Sequence, residues 1–97
     1  GLKMASLTTP VTLLNAVTAT GASKAVQADA GAPAILHVTG ITSATVALQG
    51  SLDGTTFSTV GTALTADGFV TLANAPKYLR ANCTVYVSGT ITAKILY

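Results

Sequence analysis

The sequence predicts an all-β domain: a single small antiparallel β-sandwich, jelly-roll-like, with seven or eight short strands. Three observations carry this. Apolar and polar residues alternate with a period of two over residues 44–49 and 78–87. That spacing sets one face of a strand on a core and the other in water. Turn signals pairing Gly with Asp, Ser or Pro punctuate the chain roughly every 8–12 residues, as in sandwiches and barrels. Finally, 17 of the 97 residues are Thr and 17 are Ala, with two Phe and no Trp. Such a composition makes a thin core, and the branched Thr and Val side chains favour a pleated surface.

Taken in order, residues 1–10 have no period and end in a proline, which predicts an extended arm. Residues 11–14 add an edge strand, since Pro10 has no N–H to donate to a ladder. The division is therefore an arm over 1–14 and a sandwich over 15–97. Residues 15–20 read as a weak strand turned by Gly21-Ala22-Ser23, with 25–28 returning. Gly21 and the β-branched residues argue against an alanine-driven helix over 16–28. The loop at 30–33 launches a strand over 34–39, with Leu36 and Val38 on the core face and His37 opposite. A turn at 40–43 leads into 44–49, where Ala44, Val46 and Leu48 point inward.

Ser51-Leu52-Asp53-Gly54 is a strong turn signal, because Asp bonds its own following backbone and Gly accepts positive φ. Residues 55–60 resume as a strand containing Phe57. A second Asp-Gly pair, Asp67-Gly68, precedes a strand over 69–72, and 73–76 is a loop. Along 78–87, Leu79, Ala81, Cys83, Val85 and Val87 share the inner face, with Tyr78, Arg80, Asn82, Thr84 and Tyr86 outward. Ser88-Gly89 reads as a turn into 90–97, where Ile91, Ala93, Ile95 and Tyr97 are inward. Pairing Val87 with Ile91, Val85 with Ala93 and Cys83 with Ile95 keeps one face apolar, which requires a three-residue loop or a bulge. The expected core is Leu36, Val38, Val46, Leu48, Leu79, Val85, Ile91 and Ile95. An internal echo links residues 30–37 to residues 73–80 at an offset of 43.

Only 8% of residues are charged, against roughly 25% in ordinary soluble domains. No segment reaches the ~20 apolar residues of a membrane-spanning helix. A chain this poor in charge is expected to bury surface against neighbouring subunits. Its net charge of +2 is spread over five scattered bases, which gives no footprint for nucleic acid. The single cysteine excludes an intrachain disulfide. His37, the lone histidine, has no second histidine for metal binding or shared acid–base work. Cys83 falls on the core face, where a thiol is inert and reacts slowly until unfolding. Asp29, Asp53 and Asp67 sit in separate turns and make no calcium cluster. Neither a phosphate loop nor a nucleophile elbow is present. The expectation is therefore no enzyme, no cofactor and no metal. The candidate residues are those of an interface: Leu7, Val11 and Leu13 of the arm, and His37, Tyr78, Arg80 and Tyr86 on the outer face. Tyr and Arg are favoured anchors between proteins, and an aromatic beside a guanidinium also suits a sugar.

The order T-V-A-L-Q-G-S-L-D-G-T-T-F at 45–57, Y-L-R-A-N at 78–82 and S-G-T-I-T at 88–92 resembles a small β-sandwich module of tailed-bacteriophage structural proteins. The pattern of a strand, S-x-D-G-x-x-F and a later Y-L-R also resembles discoidin-type, galactose-binding-like jelly rolls. The phage resemblance implies a capsid decoration (cement) protein or an appendage component, located on the virion. Its partners would be the major capsid protein or other virion subunits, with self-association as a trimer favoured. The galactose-binding-like resemblance implies a carbohydrate-binding or adhesin-like module instead.

Overall fold

The computed structural model describes residues 7–97, so the first six residues of the expected arm lie outside the described ones. Seven strands follow: β1 (Val11–Val17), β2 (Gly21–Ala22), β3 (Val26–Gln27), β4 (Ala34–Ser51), β5 (Ser58–Thr59), β6 (Gly68–Leu72) and β7 (Tyr78–Leu96). No helix occurs among the described residues, and all seven strands join one antiparallel sheet.

The sheet is organised on β4 and β7, which pair from Ile35↔Leu96 to Ser51↔Tyr78. One row across it runs β1–β7–β4–β6, using the late part of β7 and the early part of β4. The other runs β2/β3–β7–β4–β5, using the opposite parts of the same two strands. Every pairing joins a strand within residues 11–51 to one within residues 58–96. The internal echo has a counterpart here. Leu36 pairs with Val70 and Leu79 with Val26, so partners repeat at the offset of the sequence echo to within a residue. The two echoing loops also bond each other: Gly31 N–H donates to Ala75 O (2.8 Å), and Ala75 N–H donates to Ala32 O (2.7 Å).

The turns expected at 40–43 and 88–89 are not turns, and the pairing of Val87 with Ile91 does not form. Both strands run on through these points. Val85 pairs with Thr45, Cys83 with Val46, and Ile91 with Val17. The physical reason lies in Gly40 and Gly89, with φ of +84° and +129°. They let the two backbones bend together at very close range, through several register shifts. A Cβ on Gly40 would overlap the carbonyl oxygen of Thr90; one on Gly89 would lie 2.5 Å from Gly40 O and 2.9 Å from Thr42 N. Asp67 holds the bend from the side. Its Oδ2 accepts the Gly40 N–H at 3.1 Å and its Oδ1 the Ile41 N–H at 2.8 Å. Backbone donors that the irregular ladder leaves free are thereby satisfied.

Seven of the eight expected core residues are fully buried: Leu36, Val38, Val46, Leu48, Leu79, Ile91 and Ile95. The exception is Val85, 52% exposed; Val87, also expected inside, is 71% exposed. Thr84 is the cause. It is the extra residue between the pairs Thr45↔Val85 and Val46↔Cys83, so the alternation inverts there. The same inversion brings Tyr86 inward. Its ring packs against the core and its hydroxyl donates to Gly89 O at 2.7 Å. Tyr86 is therefore not on the outer face where the alternation placed it.

β1 extends to Val17, beyond the edge strand expected over 11–14. A register shift between Thr12 and Leu14 lets Leu13 and Leu14, adjacent in sequence, both reach the core. Each such burial contributes roughly 1.5–3 kcal/mol. That ties this strand to its own domain.

Candidate functional site

The outer face of the β7–β4–β5 row is built from the turn upward. Ser51 Oγ accepts the N–H groups of Asp53 (3.2 Å) and Gly54 (2.9 Å) and donates to Asp53 Oδ1 (2.8 Å). The same Oδ1 accepts the N–H groups of Thr55 and Thr56, each at 2.9 Å. These backbone bonds, with the Ser51 hydroxyl, hold the Asp53 carboxyl well below the usual carboxylate range. Phe57 follows this turn directly, and Gly54 faces the Tyr78 ring, where an added Cβ would make ordinary contact at 3.4 Å from Cε2.

A carboxyl held low stabilises the fold above the ordinary carboxylate pKa and loses that contribution as pH falls toward its folded value. The expected result is a melting temperature that declines on acidification below about pH 4. In Asp53→Asn the decline is smaller. Thermal melts across acidic pH check this, and identical declines in the two proteins would dismiss the turn as the source.

Phe57 meets Arg80. The guanidinium carbon lies 4.0 Å from the Phe57 ring centroid, and Arg80 Nε donates to Gln49 Oε1 at 2.9 Å. Asn82 Nδ2 donates to the same oxygen at 3.3 Å. Tyr78 stands at the start of this row, with Lys77 Nζ 5.5 Å from its ring centroid. One face and one edge of the guanidinium are occupied by the protein's own groups. Among the described residues no carboxylate pairs with it. The planar fork of its terminal nitrogens has the geometry that suits a carboxylate or phosphate.

The other candidate residues are placed elsewhere. His37 is outward, as the alternation implies, but on the β1–β7–β4–β6 row, opposite Lys94 in the register. It stacks on Phe69, with ring centroids 4.2 Å apart and planes within 11°. A cleft of about 230 Å³ beside it is lined by His37, Thr39, Thr92 and Lys94. The structure thus brings Tyr78 and Arg80 together and separates them from His37 and Tyr86. Leu7 is 37% exposed, Val11 is half-buried against the core and Leu13 is buried in it. Cys83 is buried, and desolvation pushes its thiol up, away from the thiolate a nucleophile needs. No group of three or more metal-ligating residues occurs among the described residues.

Two members of the Arg80 cluster escape sequence reasoning. Gln49 becomes a partner only through the Gln49↔Arg80 register. Phe57 stands out as the aromatic after an Asp-Gly turn, but its cation is supplied 23 positions later by another strand. Compared with protein-family models, with curated proteins and with solved structures, the chain finds no match.

Proposed function

We propose that this protein is a non-enzymatic structural subunit of a tailed-bacteriophage virion, a capsid decoration protein that binds the major capsid protein lattice and stabilises the head. The observation that carries this reading is the guanidinium of Arg80, set between Phe57 and Gln49 beside Tyr78, with no acidic partner among the described residues. A rigid, desolvation-tolerant Arg flanked by aromatics is the composition of an interface anchor. The low charge and the motif resemblance over 45–57, 78–82 and 88–92 support the same reading. Neither nucleic acid nor membrane is among the proposed partners.

The proposal includes a jelly-roll-like sandwich, in which the two rows face each other across the bend of β4 and β7. In its support, fully buried side chains from both rows belong to one cluster, and no helix is available among the described residues to cover them. The smallest dimension, 19 Å, suits two sheets about 10 Å apart with outer side chains added.

The test is binding to purified capsids that lack the subunit. The expected result is that Arg80→Ala weakens binding about 30-fold or more, the effect of losing an anchor of about 2 kcal/mol. Equal binding by both proteins would remove this face from the mechanism. The amides of Gln49 and Asn82 beside Tyr78 also favour a second reading, a carbohydrate-binding module. An Arg80-dependent glycan signal, without capsid binding, would select it.

A further inference from the structure

We propose that the free edge of β6 pairs this protein with a second copy of itself, the two β6 strands running antiparallel about a two-fold axis at Val70. This inference does not rest on the virion reading. An unpaired strand edge is a template for another strand, and soluble proteins blunt such edges with bulges, brevity, charge or proline. Three of the edges here are blunted. β1 carries two register shifts, and its Ala16 has a φ of +51°. β2 and β3 are two residues each, separated by a stretch containing Lys24. β5 is also two residues long.

β6 has none of these devices. Its five residues, Gly68-Phe69-Val70-Thr71-Leu72, keep an unbroken register against β4 from Ala34↔Leu72 to Val38↔Gly68. They include no charge and no proline, and among the described residues β6 pairs with no strand on its other side. A groove of about 260 Å³ lies against the strand, lined in part by Gly61, Thr62 and Leu64. Val70 points into the core, while Phe69 is 61% exposed and Thr71 is exposed.

The side-chain pattern favours a second copy as the occupant. Antiparallel pairing about Val70 sets Phe69 opposite Thr71 of the copy, twice, and Gly68 opposite Leu72. Aromatic against β-branched is a favourable cross-strand pair. No like charges meet, and no charge on the strand has to be desolvated. Phe69 is already held by its stack on His37, so little freedom is lost when it is covered. The contact is isologous and uses both free β6 edges, so it closes at two copies. A five-residue edge is small beside the roughly 1,200–2,000 Å² of stable interfaces, which makes the pair concentration-dependent.

The test is sedimentation of the full chain over the micromolar range. The expected result is a monomer–dimer equilibrium for the wild type. The variant F69K/T71K, which sets Lys opposite Lys at both pairs, remains a monomer throughout. Both positions are exposed, and far-UV circular dichroism confirms that the variant is folded. As an independent measure of register, Phe69→Cys mixed with Thr71→Cys forms an interchain disulfide, whereas neither does so alone. A wild type that stays monomeric, a trimer, or a dimer untouched by F69K/T71K overturns the proposal. Cross-linking of either single variant as readily as the mixture overturns the register.

Discussion

Gly40→Ala is expected to cost on the order of 3 kcal/mol or more, while Gly31→Ala costs roughly 1 kcal/mol. Both glycines have positive φ, +84° and +88°, so both alanines meet the same left-handed backbone penalty. They differ in what surrounds them. Nothing lies within 4 Å of the Cβ position at Gly31, whereas the Cβ at Gly40 would overlap the Thr90 carbonyl. That carbonyl belongs to the neighbouring strand and cannot rotate away as a flexible side chain would. Since a domain of this size is stable by roughly 5–15 kcal/mol, the first substitution removes a large share and the second does not. Urea midpoints for the two variants give the comparison. Equal losses would mean that β4 and β7 do not approach this closely at the bend.

Leu79→Ala is expected to destabilise by about 2–5 kcal/mol, the cost of a cavity in a packed core. Val85→Ala should stay within about 0.5 kcal/mol of the wild type. The two residues lie on one strand, six positions apart, and plain alternation puts both on the same face. The Thr84 bulge separates them, leaving Leu79 fully buried and Val85 half-exposed. Chemical denaturation of both variants reads the bulge directly. A large loss at Val85 would restore the uninterrupted strand.

These two residues also mark the limit of what periodicity reveals. Within an unbroken run the period of two identifies the face, and Leu36, Val38, Val46, Leu48, Leu79, Ile91 and Ile95 were all legible for that reason. A bulge inserts one residue without any compositional signal, since Thr84 looks like any other strand Thr. Gly40 and Gly89 were legible as special positions, but a glycine that ends a strand and one that bends it read alike. The difference depends on a partner strand some 50 positions away. Arg80 and Tyr78 were legible as outward-facing. Their relation to Phe57 and Gln49 required the register, which no local pattern contains. Asp67 illustrates the same gap: its turn chemistry is visible, but its grip on the Gly40 and Ile41 N–H groups is not.

Every strand pairing joins the first part of the chain to the second, and this has a consequence for the order of events during synthesis. With residues 11–51 alone, none of the native ladders can form, because all of their partners lie between residues 58 and 96. The longest partner, β7, is the last of the seven strands to be synthesised. Loop closure over such separations must precede any reward from pairing, which places the fold among the slow, non-local β topologies, with times from milliseconds to seconds. Until β7 arrives, Leu13 has no partner strand, and Leu36, Val46 and Leu48 lack the strand that completes their burial.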